Sequence, residues 1–364
     1  MSAEIEGSLF RKRILLTGGA GFIGGHTVCN LVERYPSYYV VNYDKLEYCS
    51  CLKNIERIAN KPNYKFIEGD LCDEDKLRDV FQQERIDTVL HFAAQSHVDN
   101  SFRSVDNFIQ SNVEGTSKLL ETAKQYGGVS LFLHVSTDEV YGGNSTVALD
   151  ETAPLNPTNP YSDSKAQGEI IAKSYYDKYR FPVIITRGNN VYGPHQFPEK
   201  VVPKFIGLLL RGKKCCIHGD GTPTRNFMYI QDAVEAYLTV LHKGKVGEIY
   251  NIGTEFRICV NDLAKQLTKK IRGQKKDAEN EEGHTEYVKD RPHNDKDYPI
   301  DSSKLRSLGW SPKMPWDKGL DITIDWYRDN FQNWGDLAER ALVPFPNVMG
   351  EKEPSESMGD EPEM

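Results

Sequence analysis

The stretch Arg13-Ile-Leu-Leu-Thr17 followed by Gly18-Gly-Ala-Gly-Phe-Ile-Gly24 constrains the chain more than any other. Four apolar or β-branched residues run into a turn whose glycines fall at 18, 21 and 24. An amphipathic helix from about Gly24 to Glu33 is predicted to follow. Each glycine has a physical reason. Gly18 permits a tight turn, Gly21 lets the backbone approach a pyrophosphate, and Gly24 lets the helix pack closely on the strand. The helix N-terminus would then face the phosphates. Tyr38 to Tyr43 reads as a second strand, and Asp44 ends it at the distance expected of an acid that binds a ribose. A carboxylate there repels a 2′-phosphate, so NAD is expected rather than NADP.

The same alternation continues. Tyr64–Ile67 and Ile86–Phe92 read as strands, with a helix from Asp73 to Gln83 between them. A long helix is predicted over Phe102–Tyr126 with Asn112 inside it, then a strand over Leu131–Val135. A further helix is predicted over Tyr161–Tyr179 and a strand over Pro182–Thr186. This is the pattern of an α/β doubly wound parallel sheet. Beyond Arg187 the elements shorten and basic residues gather near turns. The expected organisation is a lead at 1–11, a nucleotide-binding domain at 12–190, a mainly substrate-binding C-terminal domain at 191–346 with elements returning to the first, and an acidic, disordered tail at 347–364. Arg272 to Asp290, polar and poor in apolar residues, reads as a surface loop.

Composition removes several classes of function. The net charge of −8 argues against bulk attraction to nucleic acid. No apolar run is long enough to span a bilayer, and the first thirteen residues lack the apolar core of a secretory signal. Seven cysteines, an odd number without a CxxC pair, fit a reducing, cytoplasmic setting better than a disulfide framework. The 9 histidines are scattered, and His91, His97 and His134 read as packed or hydrogen-bonded, so no metal is expected.

The chemistry is expected after the Leu131–Val135 strand. Its carboxyl end delivers Ser136, Thr137, Asp138 and Glu139, at the sheet edge where ligands of such folds sit. Tyr161 and Lys165 stand one helical turn apart and share a face. A lysine beside a tyrosine favours the phenolate, a general base for hydride chemistry on a sugar hydroxyl. Tyr-x-x-x-Lys alone is also an ordinary helix pattern. The adjacent carboxylates Asp138 and Glu139 change its meaning, because they add acid and base work on the same substrate.

Together with Tyr192-Gly-Pro194, Phe197-Pro-Glu-Lys200, Tyr250-Asn-Ile-Gly253 and Asp290-Arg-Pro292, these residues resemble the extended short-chain dehydrogenase/reductase family. Within it the chain looks like the nucleotide-sugar 4,6-dehydratases, dTDP-glucose 4,6-dehydratases of the animal type above all. The resemblance runs from about Lys12 to Pro346. It implies a Rossmann fold with a smaller C-terminal substrate domain, bound NAD, and a homodimer formed by the helices at Phe102–Tyr126 and Tyr161–Tyr179. Phe108, Leu119, Leu120, Ile170 and Tyr175 would supply apolar residues beyond what the sheet can bury.

The implied reaction is dehydration of a nucleotide-activated glucose, dTDP-glucose or UDP-glucose, to the 4-keto-6-deoxy sugar. It runs by oxidation at C4, loss of water across C5 and C6, and hydride return to C6. Carried over by the resemblance, Tyr161 takes the 4-hydroxyl proton, Lys165 lowers the Tyr161 pKa and holds the nicotinamide ribose, and Thr137 bonds the 4-hydroxyl. Asp138 is the acid for the departing 6-hydroxyl and Glu139 the base at C5. The cofactor would meet Gly18, Gly21, Phe22, Ile23, Gly24, Asp44, Lys45, Asp70, Leu71, Ala93, Ala94 and Ser111, besides Tyr161 and Lys165. The nucleotide sugar would meet Ser96, Thr137, Asn190, Lys200, Val201, His218, Arg225 and Arg291. Two departures stand out. Gln95 replaces a glutamate frequent in bacterial members, and Asp297 precedes Tyr298 where an arginine is usual. The second would bring a carboxylate near the nucleotide end of the substrate. Three rival readings are a nucleotide-sugar 4-epimerase, a decarboxylase, and a non-catalytic NAD-binding sensor. The last needs only the glycine turn and Asp44.

Overall fold

The computed structural model describes residues 10–273 and 283–346. The lead up to residue 9 and the acidic tail therefore lie outside the described residues. β1 (Lys12–Thr17), β2 (Tyr38–Asp44), β3 (Tyr64–Glu68), β4 (Thr88–His91), β5 (Leu131–Thr137) and β6 (Val183–Gly188) alternate with helices. With β10 (Ile249–Ile252) they form a seven-stranded sheet in the order β10-β6-β5-β4-β1-β2-β3. β10 comes from far along the chain and pairs with β6 in parallel. Every neighbouring pair is parallel. A parallel sheet covered on both faces needs near-continuous apolar strands. Ile14, Leu15 and Leu16 of β1 are accordingly fully buried, as are Phe132 and Leu133 of β5. Each such side chain is worth about 1.5–3 kcal/mol when removed from water.

The order reverses between β1 and β4, and at such a point the carboxyl ends of the strands open a crevice. The glycine turn lies there. Gly18 has φ +75°, and a Cβ on it would stand 2.7 Å from the Ala93 nitrogen after β4. A Cβ on Gly24 would stand 2.2 Å from the Gly18 carbonyl oxygen. Side chains at either place would push the crevice apart.

The remaining strands form two small sheets. β7 (Asn190–Tyr192), β9 (Thr224–Tyr229) and β11 (Arg257–Cys259) make one, and β8 (Cys215–His218) with β12 (Thr285–Val288) the other. β12 corrects the surface loop expected over Arg272–Asp290: Thr285 to Val288 pair in register with Cys215 to His218. Thr285, Tyr287 and Val288 are strand formers, but none of the four residues is buried, so the strand has no apolar face to announce it and gains its order from main-chain pairing. Residues 274–282 of that stretch lie outside the described residues.

The helix expected over Phe102–Tyr126 is also different. It is divided into Val98–Arg103, Val105–Phe108, a π-helical segment Ile109–Glu114, and Gly115–Tyr126. The wide turn surrounds Asn112, which works outside its own helix. Its Oδ1 accepts from the Gln95 nitrogen at 2.8 Å, and its Nδ2 donates to the Gln95 carbonyl and to Ser164 Oγ, both at 2.9 Å. Asn112 thereby ties the loop after β4 to the helix Pro160–Tyr179. Phe108, Leu119 and Leu120 are fully buried within their own chain, so they are not spare apolar surface. Ile170 is 57% exposed, and Val105 and Ile109 are exposed with it.

Candidate active site

The crevice at the strand ends is lined by Gly18, Gly21, Phe22, Ile23, Gly24, Asp44, Lys45, Asp70, Leu71, Ala93, Ala94 and Ser111. It continues past Ser96, Thr137, Asp138, Glu139, Tyr161, Lys165, Asn190 and Lys200. The structure thus brings together all the residues expected of the cofactor and the chemistry, and three of the residues expected of the sugar nucleotide besides Thr137. The helix Phe22–Arg34 opens on Gly21 without a side-chain cap, so its first N–H groups are free for an anion.

Asp44 ends β2 with its carboxylate already engaged. Oδ2 accepts from the Ala20 nitrogen at 2.9 Å, and Oδ1 accepts from the Leu46 nitrogen at 2.8 Å and Ser50 Oγ at 3.1 Å. Burial pushes its pKa up, and those hydrogen bonds draw it back. Lys45 pairs with Glu47 at 2.6 Å and donates to Ser111 Oγ at 3.4 Å.

β5 ends in a single 3₁₀ turn, Asp138–Tyr141, for which Thr137 supplies the N-cap oxygen. The turn sends the two carboxylates to different partners. Asp138 Oδ1 accepts from Thr137 Oγ1 at 3.1 Å, and its Oδ2 accepts from Asn189 Nδ2 at 2.6 Å. Glu139 Oε2 accepts from Asn159 Nδ2 at 3.3 Å. Asn159 is also the N-cap of the helix Pro160–Tyr179, which fixes where Tyr161 and Lys165 begin their turn. Burial, and then repulsion from Glu139, pushes the Asp138 carboxyl up to about 7, against the pull of Asn189 and Thr137. Burial also raises Glu139, with Arg225 and Asn159 opposing. Two buried carboxyls side by side cannot both ionise freely, and their environments separate them.

Tyr161 and Lys165 are both buried. Burial, followed by the Glu139 charge, pushes the Tyr161 phenol well above its ordinary value. Burial brings Lys165 down to about 8, and its Nζ donates to the Val135 carbonyl at 2.7 Å. In the chain alone, burial and the neighbouring carboxylates hold the phenol protonated, with only the Thr137 hydroxyl drawing it down.

Val201, His218, Arg225 and Arg291 stand away from the crevice wall. His218 Nε2 contacts the Pro344 carbonyl at 3.0 Å, and Arg291 pairs with Asp99 at 2.8 Å. Arg225 donates to the Asp295 carbonyl at 2.9 Å and lies 5.1 Å from the Tyr298 ring, while its charge reaches the carboxyls of both Asp138 and Glu139. Lys200 closes the wall by donating to the Ser96 carbonyl at 2.5 Å. Asp297, the residue that departs before Tyr298, pairs with Arg257 at 2.7 Å and accepts from the Tyr298 nitrogen at 2.9 Å.

Three residues of the site were not singled out from the sequence. Asn189 and Asn159 hold the carboxylates, and asparagine carries no periodic mark. Glu199 is buried, raised to about 7 by desolvation, and accepts from Tyr48 Oη at 2.9 Å. Its place in Phe197-Pro-Glu-Lys200 beside Lys200 could have marked it.

The profile of the family described as GDP-mannose 4,6 dehydratase matches residues 15–323. A dTDP-D-glucose 4,6-dehydratase of Mus musculus is 56% identical over 337 residues, which is 93% of this chain and 94% of that one. The dTDP-glucose 4,6-dehydratase of Streptomyces venezuelae, solved with NAD and TYD bound, superposes with a TM-score of 0.84 at 36% identity, over 89% of this chain and 99% of that one. A UDP-glucuronic acid 4-epimerase of Bacillus cereus shares the fold with a TM-score of 0.79 at 31% identity, over 87% and 99%. With a profile match over most of its length and relatives of this likeness, the chain belongs to the GDP-mannose 4,6 dehydratase family of the extended short-chain dehydrogenases/reductases.

Proposed function

We propose that this chain is an NAD-dependent hydro-lyase that converts dTDP-glucose to its 4-keto-6-deoxy product. The observation that carries the reading is the pair Asp138–Glu139. Both line the crevice that also holds Tyr161 and Lys165, Asp138 buried and Glu139 partly so, and Asp138 is raised to about 7.

The residues fit NAD. Ser136 Oγ, on the crevice wall, is buried without a hydrogen-bond partner, and Gly21, at the mouth of the helix, leaves main chain bare where a Cβ would meet only the Gly18 carbonyl oxygen, at 3.3 Å. The Phe22–Arg34 helix N-terminus would hold the diphosphate, Asp44 a ribose, and Lys165 the nicotinamide ribose. When bound, the cofactor supplies the acceptor and donor of a hydride and a positive charge beside Tyr161.

Tyr161 takes the proton of the sugar's 4-hydroxyl, which Thr137 orients. A ketone at C4 acidifies the hydrogen at C5, and Glu139 removes it. Asp138 gives its proton to the departing 6-hydroxyl. A carboxyl raised to about 7 is still substantially protonated near neutrality, as an acid for this step must be. Ser96, Asn190 and Lys200 hold the nucleotide sugar at the crevice, and the positive charges of Arg225 and Arg291 draw its diphosphate. Val201 and His218 are proposed to contact the nucleotide sugar as well.

The protein is proposed to work as a homodimer through the exposed face around Ile170, in a reducing, cytoplasmic setting that suits its seven free cysteines. Residues 12–190 carry the cofactor and 191–346 mainly the substrate, with β10 returning to the first sheet. Among the described residues, no helix is long and apolar enough to cross a membrane.

Product mass tests the reading. dTDP-glucose and UDP-glucose are incubated separately with the purified protein. Loss of water from dTDP-glucose supports it. An unchanged mass with inversion at C4 makes the chain an epimerase. Loss of carbon dioxide from a uronic acid substrate makes it a decarboxylase, and no turnover of any of these leaves an NAD-binding sensor.

A further inference from the structure

Asn189 joins three separate parts of the chain. Its Nδ2 donates to Asp138 Oδ2 at 2.6 Å and to the Tyr298 carbonyl at 3.3 Å, and its Oδ1 accepts from the Thr254 nitrogen at 3.0 Å. A main-chain N–H can only donate, and a main-chain carbonyl can only accept. The two main-chain partners therefore fix which end of the amide faces Asp138. A Cβ on Gly253 would stand 2.7 Å from Asn189 Oδ1, so the fold leaves out a side chain where this amide must fit. Asn189 is 4% exposed and Asp138 2%, which leaves water little part in the arrangement.

The consequence lies in where the acid keeps its proton. Asp138 Oδ2 faces an N–H and is an acceptor in either ionisation state. The proton of the neutral acid is then left to Oδ1, 3.1 Å from Thr137 Oγ1. Thr137 has a single hydroxyl proton. While Asp138 is ionised, that proton is donated to Oδ1. Once Asp138 is neutral, the acid donates to Thr137 Oγ1 and frees the threonine proton to turn toward Tyr161. The Thr137 hydroxyl also faces the Tyr161 phenol and draws its pKa down.

We propose that Asn189 is a positioning residue: by occupying Oδ2 of Asp138 it keeps the acid's proton on Oδ1 and couples it through Thr137 to the Tyr161 phenol. A protonated acid and a deprotonated tyrosine then favour one another, which is the state the start of the reaction requires. The effect on turnover rests on the dehydratase reading, whereas the position of the proton does not. Other charged and titratable groups also face Asp138. Glu139 does so from its own turn, Arg225 from β9, and Tyr161 from the helix Pro160–Tyr179. Tyr298 stands behind Asn189 and feels Glu139 and Arg225 as well. A substitution at 189 leaves all of them in place.

The test uses the full chain loaded with NAD and carrying ¹³C-labelled aspartate carboxyls, with Asp138→Asn identifying the Asp138 signal. Wild type is compared with Asn189→Leu, which is similar in size without polar atoms, and Asn189→Asp, which keeps the Thr254 bond but turns an oxygen toward Asp138. The Leu variant loses the hydrogen bond that favours the ionised form, so the Asp138 carboxyl should titrate about one pH unit or more higher. With dTDP-glucose, its kcat should fall about tenfold or more, part of the ~100-fold or larger contribution of a well-placed acid, while KM stays within about twofold. The alkaline limb of its kcat profile should move upward with the carboxyl. In the Asp variant the proton is drawn to Oδ2, so kcat should fall although the carboxyl stays protonated to higher pH. This variant decides the matter if the Leu protein does not fold. The same Asp138 titration in wild type and variants overturns the proposal, as does a loss confined to KM. If wild type itself does not dehydrate the sugar, the functional reading fails, and the carboxyl titration still decides where Asn189 puts the proton.

Discussion

Lys165 donates its ammonium to the carbonyl of Val135, the residue just before Ser136, at 2.7 Å. The helix that carries the lysine is thereby anchored to the strand that carries the carboxylates. Tyr161, one turn earlier on that helix, is held protonated by burial and by the Glu139 charge. Removing its hydroxyl should therefore stop the reaction at its first step. We expect Tyr161→Phe to bind dTDP-glucose but to show no reduced-nicotinamide absorbance on mixing, with turnover at least ~100-fold below wild type. Normal absorbance would remove Tyr161 from its assigned role.

Glu139→Gln keeps size and hydrogen bonding but loses a base. Oxidation at C4 does not need proton removal at C5, so this variant should stall with reduced nicotinamide and a 4-keto sugar. Turnover should drop by ~100-fold or more. Asp138→Asn should still exchange the C5 hydrogen for solvent deuterium, unless C5–H and C6–O cleavage are concerted, in which case exchange falls with turnover. Mixing experiments and mass spectrometry separate the two. A Glu139→Gln protein that turns over at the wild-type rate assigns the base elsewhere.

The raised Asp138 carboxyl also makes a statement about stability. Its folded value, about 7, lies above the ordinary 3.8. The folded state therefore binds the proton more tightly than the unfolded one. That contribution is fully present below about pH 4 and is lost as pH rises through about 7. Its full size is on the order of 4 kcal/mol. Asp138→Asn remains neutral at every pH, so its melting temperature should gain on wild type between pH 4 and pH 8. An unchanging difference across that range would mean that Asp138 titrates normally.

Asp44 has two duties, and one substitution should reveal both. Its carboxylate would repel a 2′-phosphate, and it also accepts from Ala20, Leu46 and Ser50. Asp44→Ala should narrow the preference for NAD over NADP. It should also destabilise the protein by about 1–3 kcal/mol, the cost of leaving buried donors unpaired. Cofactor titration and denaturant unfolding measure the two effects. Purified wild type carrying NADP would refute the preference.

Ile170 is 57% exposed on the helix that carries Tyr161, with Val105 and Ile109 exposed on the segments beside it. We expect wild type to be a dimer by light scattering at micromolar concentration. Ile170→Glu should shift it toward monomer, because a dimer interface would have to desolvate the new charge. A wild-type monomer over the same range would overturn the assignment of this face.

Local patterns were enough to mark six of the seven strands of the large sheet and the residues presented at its carboxyl edge. The glycines at 18 and 24, the apolar strands and the acid ending β2 are short-range signals, since each depends on neighbours a few positions away. The same holds for Asp138-Glu139 and for Tyr161 with Lys165, which place one strand end and one helix face. Tertiary structure decided what surrounds them. Asn189 reaches Asp138 across 51 positions, and Asn159 meets Glu139 across 20. Asn112 opens a wide turn in its own helix in order to hold Gln95 and Ser164. Asp297 finds its ion-pair partner, Arg257, 40 positions away. Periodicity reports which face of an element is buried, because burial recurs with every turn or every second residue. The partner of a single buried amide or carboxylate recurs with nothing. It is chosen when distant segments close on one another and each desolvated polar group must find a hydrogen bond.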